Sequence, residues 1–294
     1  MRDLRPASWA ELIDTLQQDS WNPELRRFRS PYIFRGQGTP APLTTSLQRL
    51  SAHPRDIERH LVRAFRKYAT GPLCAQDQHW SWLTLGQHHG LPMRLLDWSY
   101  SPLVALHFAT SNERQYGEDG VVWMLNTART NARLPPALQA LLRREGSNVF
   151  TADMLAALGH AGDPDGLPFD AETGWLDDYE REKGEPFLLL LEPPSIDQRI
   201  VQQSALFALL SNPETAFGEW LSRPPEAARR VVVARELKWE IRDRLDQVGV
   251  NERTLFPDLG GLSLWLRRYY QQRPGPGPDP APPPTPEEER NQQR

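Results

Sequence analysis

The chain has 294 residues, 34 basic and 38 acidic side chains for a net charge of −4, and a single cysteine, Cys74. That length allows one or two domains with a core that needs no staples, and the charge gives no global pull toward nucleic acid or an acidic membrane. A lone cysteine excludes an intrachain disulfide and a cysteine-built zinc site.

Apolar runs such as Phe187 to Leu191 fall far short of the roughly 20 residues that span a bilayer. Met1 to Arg5 leads into no apolar segment of the kind a signal peptide needs. The expectation is a soluble, cytoplasmic protein in a reducing compartment. Only Lys67, Lys183 and Lys238 are lysines. The arginine excess reads either as coding bias or as use of planar guanidinium groups for phosphate and carboxylate.

Ser8 to Gln18 is predicted as a helix, with Ser8 as cap, Glu11 closing a capping box, and Trp9, Leu12, Ile13 and Leu16 at helical spacing. Pro31 to Phe34 reads as a strand entering the turn Arg35-Gly36-Gln37-Gly38. Arg55 to Thr70 and Asp77 to His89 read as amphipathic helices, the second stopped by Gly90-Leu91-Pro92. Ser101-Pro102 opens a helix, Leu103 to Thr110, that is apolar nearly all round and so belongs in the core. Gly120 to Leu125 is a strand, Arg133 to Leu158 is helical, and Gly159 to Gly174 is a loop. Phe187 to Leu191, Ala205 to Leu210 and Val231 to Ala234 are strands; Glu236 to Val248 and Leu259 to Tyr270 are helices. Residues 273–294, rich in proline and glutamate, are predicted to be a disordered tail. There is no βαβα alternation and no Gly-rich phosphate loop. The expected fold class is therefore α+β: one domain with a mixed or antiparallel sheet of about five strands surrounded by helices.

Three segments put charged or amide side chains where the pattern calls for core. In Tyr32 to Gln37, strand alternation puts Arg35 on the face of Ile33, where it must find a carboxylate, carbonyls or an anion, and Gly36 permits close backbone approach or a positive φ. In Gly86 to Trp98, Arg94 and Asp97 either clamp the loop internally or, with Gln87, His88 and a stacking Trp98, line a concave site. In Asp197 to Phe207, Arg199 and Gln203 point to one region whether the segment is helix or strand. Convergence on one pocket explains three such segments more simply than three separate internal repairs. Adjacent histidines project about 100° apart on a helix, and no His-x-x-x-His spacing occurs, so no metal site is expected. Cys74 has no activating neighbour in sequence, and there is no Gly-x-Ser-x-Gly elbow.

Phe34-Arg35-Gly36-Gln37, Leu43 to Arg49, Gln87-His88-x-Gly90-Leu91-Pro92-x-Arg94-Leu95-Leu96-Asp97-Trp98 and Pro102-Leu103-x-Ala105-Leu106-x-Phe108-Ala109 resemble the FRG domain. Arg199-Ile200-x-x-Gln203-x-x-x-Phe207 and Leu255 to Leu262 are similar to the family's distal segments. Met93 stands where the family usually has threonine and Ala205 where it usually has glycine, which puts a hydroxyl contact and tight backbone packing in question. The resemblance implies a lead-in over residues 1–30, an FRG-type domain over 31–272 and the tail beyond. It also implies a bacterial or phage defence or toxin-type effector.

Arg35, the Thr44-Thr45-Ser46 run and a late polar residue further resemble ADP-ribosyltransferases. In those enzymes an early arginine or histidine holds NAD, a Ser/Thr strand lines the nicotinamide pocket and a late glutamate orients the ribose. What this resemblance implies is an NAD-using transferase or glycohydrolase. Its ligand contacts would be Arg35, Gln37, Ser46, Gln87, Arg94, Asp97, Trp98 and Arg199, and its reacting groups Gln203, His88 and Glu192. No residue pattern by itself names a cofactor. The alternative is a non-catalytic module that recognises a nucleic acid, a nucleotide or a protein.

Overall fold

The computed structural model describes residues 3–69, 78–160, 173–195, 197–223 and 226–272. Cys74, most of the 159–174 loop and the Pro-rich tail lie outside the described residues. The strands are β1 (Asp3–Leu4), β2 (Trp21–Asn22), β3 (Arg27–Phe28), β4 (Tyr32–Gln37), β5 (Leu96–Ser99), β6 (Gly120–Asn126), β7 (Phe150–Thr151), β8 (Leu188–Glu192), β9 (Ala205–Leu210) and β10 (Ala228–Val233). Strands β2 and β3 form a separate hairpin, and the other eight build one sheet in the order β1-β10-β6-β4-β5-β9-β8-β7.

The fold is α+β with a mixed sheet, but the sheet has eight strands rather than about five. The five long predicted strands are all present. The additional ones, β1, β5 and β7, span two to four residues each. Such short segments carry no readable alternation and become strands only by pairing with a neighbour. The sheet is antiparallel inside and parallel at its two edges, where β1 lies against β10 and β7 against β8.

Two predicted helical boundaries shift for local reasons. Arg133 to Leu158 divides into the Pro136–Glu145 and Ala152–His160 helices, because Gly146 caps the first in a left-handed conformation (φ 61°) and β7 intervenes. In the Trp9–Leu16 helix, the Ser8 side chain accepts from the Glu11 amide, whereas the Glu11 carboxylate takes the Ala7 amide instead of that of Ser8. Among the described residues no helix is long and apolar enough to cross a membrane.

One register detail positions everything that follows. Strand β4 pairs with β6 along its whole length, from Tyr32–Asn126 to Gln37–Val121, and β5 pairs fully with β9. Between β4 and β5 there is a single partner pair, Phe34 and Ser99. The sheet therefore parts beyond Phe34.

On one face, Ile33, Leu96, Trp98, Val121, Leu206 and Trp220 belong to one continuous cluster. On the other, the side chains belong to two clusters. One centres on Phe34, Ala105, Val122 and Ile241 beside the Pro102–Thr110 helix, and the other on Trp80, Leu83, Phe187 and Phe207 beside the His79–His88 helix. Gly36 is the contact point of the first cluster with β4. A Cβ there would meet the Ala105 carbonyl oxygen at 1.8 Å, so this glycine serves close approach and not a positive φ.

Candidate functional site

The parting of β4 from β5 opens a cleft of about 970 Å³. Its walls come from β4 and β5, the C-terminal end of the His79–His88 helix, the Pro102–Thr110 helix and the short Gln198–Gln202 helix.

Arg35 spans the gap. Its Nη1 donates to the Asp97 carbonyl oxygen at 2.6 Å and lies 3.7 Å from the Asp97 carboxylate. The guanidinium thus satisfies a β5 carbonyl at the place where β4 has moved away. Burial lowers its pKa from the ordinary arginine value, Asp97 works against that shift, and the like charge of Arg49 adds to it. Two cations near enough to repel, Arg35 and Arg49, line the cleft with the Asp97 carboxylate and offer charge to an anion. Arg49 is exposed, its Nη1 donating to the Thr44 carbonyl at 2.8 Å.

Gln87 extends the chain of contacts, its Nε2 donating to both Asp97 carboxylate oxygens at 3.2 Å. The next residue, His88, is half-buried, with Nε2 3.1 Å from Asp197 Oδ2. Asp197 also caps the Gln198–Gln202 helix by accepting from the Arg199 amide at 2.6 Å. That backbone bond lowers its carboxyl pKa most among the favourable contributions, ahead of His88, and together they outweigh the opposing effect of burial. Arg199 stacks over the Phe256 ring at 4.7 Å. The Gln203 Nε2 donates to the Leu255 carbonyl at 3.0 Å, and the Gln203 carbonyl accepts from Ser99 Oγ at 2.7 Å.

The fold thus brings Arg35, Ser46, Gln87, His88, Asp97, Trp98, Arg199 and Gln203 around one hollow. Three expected members lie elsewhere. Arg94 is buried against Glu58 of the Pro54–Tyr68 helix, which takes its Nε and, at 2.9 Å, its backbone amide. It ties the 89–95 loop to that helix and does not pair with Asp97. Gln37 uses its Oε1 to accept from Trp123 Nε1 at 2.6 Å and does not line the cleft. Glu192 ends β8, which the strand order separates from β5 by β9, and it is not a cleft residue.

The Thr44-Thr45-Ser46 run is a helix start rather than a strand: Thr45 and Gln48 form a reciprocal capping box. Ser46 Oγ is occupied by the Met93 backbone. At Met93 itself, where a threonine was the family expectation, the side chain is wholly buried in the core.

Sequence reasoning passed over Arg49, His89, Asp197 and Phe108 as wall residues. Asp197 was findable as an N-cap, since an aspartate directly before Gln-Arg-Ile fits that role. The others depend on which way their elements face.

Ala205, the other family departure, begins β9 opposite Ser99 without strain. The strain sits one residue earlier, where Ser204 has φ +46°. Replacing Ser204 with glycine removes a left-handed penalty of about 1–2 kcal/mol and adds chain entropy to the unfolded state. The expected net result is a gain of about 0.5–1 kcal/mol, read as a higher urea midpoint at unchanged m-value. A lower midpoint would overturn it.

The cleft also holds unfinished hydrogen bonding. Arg35 Nε, Gln87 Oε1 and Trp98 Nε1 are buried without a partner, and all three residues line the hollow. Each such atom costs roughly 1–3 kcal/mol when left unpaired. All three acids of the lining are engaged: Asp97 by Gln87 and Arg35, Asp197 by His88 and the Arg199 amide, and Asp258 by the Gly261 amide at 2.8 Å. Among the described residues, no three His, Cys, Asp or Glu side chains gather in a way that could hold a metal ion.

Comparison with curated proteins and with solved structures found no match to this chain. Among protein families, the FRG domain matches residues 30–118. That span contains β4, β5 and the two flanking helices that make the β4 side of the cleft, whereas Asp197, Arg199 and Gln203 lie beyond it. Over residues 30–118, the chain is a member of the FRG domain family.

Proposed function

We propose that the cleft binds a phosphate-bearing nucleotide and that the protein is an effector-type enzyme using NAD, as an ADP-ribosyltransferase-like transferase or a glycohydrolase. The observation that carries this reading is the Arg35–Arg49 pair at the parting of β4 and β5, in a hollow that Arg199 and Gln203 also line. The hollow stands at the upper end of the ~300–1,000 Å³ typical of small-molecule sites, which suits a dinucleotide. Its walls alternate guanidinium groups with the apolar side chains of Phe108, Ile200 and Leu91. The chain's own residues fit the group in charge and size.

Bound NAD supplies a glycosidic bond to nicotinamide as the scissile link. Arg35 and Arg49 would hold its pyrophosphate with charge-assisted bonds. Gln203, whose Nε2 is spent on Leu255, retains Oε1 to accept from a ribose hydroxyl. His88, in contact with Asp197, would take a proton from an attacking hydroxyl or water. The amide at Gln203 stabilises developing positive charge less than a carboxylate would. Slow turnover is expected.

Nicotinamide release from NAD and direct NAD binding test the reading together. Arg35→Ala and Arg49→Ala should each weaken binding about 10- to 100-fold, the loss of a charge-assisted hydrogen bond. Arg49 is exposed, so its variant keeps the fold. If NAD binds with arginine dependence but no nicotinamide appears, the site is a recognition module. The full engagement of the three cleft aspartates favours that second reading. Absence of binding by NAD, ADP-ribose and ADP removes both.

A further inference from the structure

The β2–β3 hairpin stands apart from the main sheet and was not expected from sequence. Trp21 and Phe28 are cross-strand partners, meet edge to face at 5.1 Å, and are 51% and 71% exposed. Leu25 in the connecting turn is 59% exposed. Every residue from Trp21 to Ser30 except Asn22 is exposed. A two-stranded hairpin with uncovered aromatic rings is marginal in water by itself. It is anchored by a bond from the Arg29 amide to the Ser20 carbonyl at 2.5 Å and by Asn22 Oδ1 accepting from the Leu25 amide.

Three arginines flank the aromatic pair. Arg26 holds a left-handed turn position (φ +51°), Arg27 is the register partner of Asn22, and Arg29 follows Phe28. Among the described residues, none of the three forms an ion pair, although several arginines elsewhere are paired with carboxylates. Glu24 is the one acid in the hairpin. We propose that this hairpin is a docking surface for single-stranded nucleic acid, with Trp21 and Phe28 stacking on bases and Arg26, Arg27 and Arg29 taking phosphates.

Charge complementarity and ring geometry choose this occupant. Every base offers a π-face to an exposed ring, and guanidinium forks match phosphate oxygens. An anionic bilayer is the poorer fit: the tip of the turn, Pro23-Glu24-Leu25-Arg26, carries a carboxylate, and the aromatic pair lies on the strands behind it. The surface is independent of the cleft, so its test does not depend on NAD.

The test is fluorescence anisotropy of the full chain with a labelled single strand of about 12 nucleotides, in DNA and RNA forms. Three phosphate contacts on a single strand predict a salt slope of about −2, a loss of about twentyfold in affinity from 50 to 200 mM salt. Phe28→Ala and the double variant Arg26→Glu with Arg27→Glu should each weaken binding at least tenfold. The matched double reversal Arg59→Glu with Arg63→Glu, on the Pro54–Tyr68 helix, should leave binding unchanged. The hairpin variants change only exposed side chains, and unchanged melting temperatures check their folding. Four results would overturn the proposal: no binding at low salt, equal loss in the control variant, equal affinity for duplex, or variant-sensitive binding to phosphatidylserine vesicles in place of oligonucleotides.

Discussion

Gly36→Ala is expected to abolish stable folding, or to lower stability by more than the ~1–3 kcal/mol typical of overpacking. The added methyl would sit 1.8 Å from the Ala105 oxygen and 2.6 Å from the Ala109 nitrogen. Both are backbone atoms of a helix whose other side is packed into the core, so neither can swing aside as a side-chain tip could. Relief requires the Pro102–Thr110 helix to lift off β4, which uncovers Phe34, Leu106 and Ala109. Urea unfolding of the soluble fraction measures the effect. A variant with the parent's midpoint would show that the helix can shift at little cost, and that the family's glycine has some other purpose.

Acidification is expected to destabilise the chain from about pH 6.5 downward, and more steeply below about pH 4.5. The cause is a buried charge network whose His107 packs against Phe108 and Phe256. Arg242 Nη1 is 2.8 Å from His107 Nδ1, Arg242 and Arg268 both bond to Glu252, and Arg268 Nη1 reaches Asp246 at 2.6 Å. Burial, followed by the Arg242 charge, pushes the His107 imidazole down to about 3. The unfolded chain therefore binds a proton on this residue below 6.5 while the native state refuses it. Native stability falls by up to about 1.4 kcal/mol per pH unit across that window.

Glu252 acts in the same direction. Burial alone would raise its pKa, but hydrogen bonds from Arg268 and the charge of Arg242 hold it at about 2. Its depressed pKa contributes stability above 4.5, and that contribution is lost as pH falls toward 2. Urea unfolding at several pH values gives the slope. His107→Gln, whose amide oxygen can still accept from Arg242, should flatten the portion between pH 6.5 and 4.5. An unchanged slope in that variant would assign the acid sensitivity to other groups.

The network also locates the elements that complete the cleft. Helices Lys238–Gln247, Glu252–Leu255 and Leu259–Tyr269 are joined through Arg242, Glu252, Arg268 and Asp246. Leu255, at the end of the second of them, offers the carbonyl that fixes Gln203. The charges thus hold the segment whose Leu255 carbonyl fixes Gln203 and whose Pro257 and Asp258 line the cleft. Breaking them alters the site at second hand.

Five strands, most of the longer helices and the α+β class were determined by the sequence alone, because short apolar runs and 3.6-residue spacing state which side chains must be buried. The break within Arg133 to Leu158 and the short helices were not. At Gly36 the sequence left a turn, a positive φ and a close approach open, and the tertiary structure chose the last, with β4 running on through Gln37. The eight-strand sheet was a matter of tertiary structure: β5 contains Asp97 between Leu96 and Trp98 and is a strand because β9 pairs with it. So was the division of the arginines. Arg35 and Arg94 look alike in sequence, each beside apolar neighbours, but Glu58 comes to Arg94 from another helix and no carboxylate closes fully on Arg35. Local pattern states which side chains must be buried or solvated. Which charges meet is decided by distances between segments far apart in the chain, and those exist only once the sheet has formed and parted.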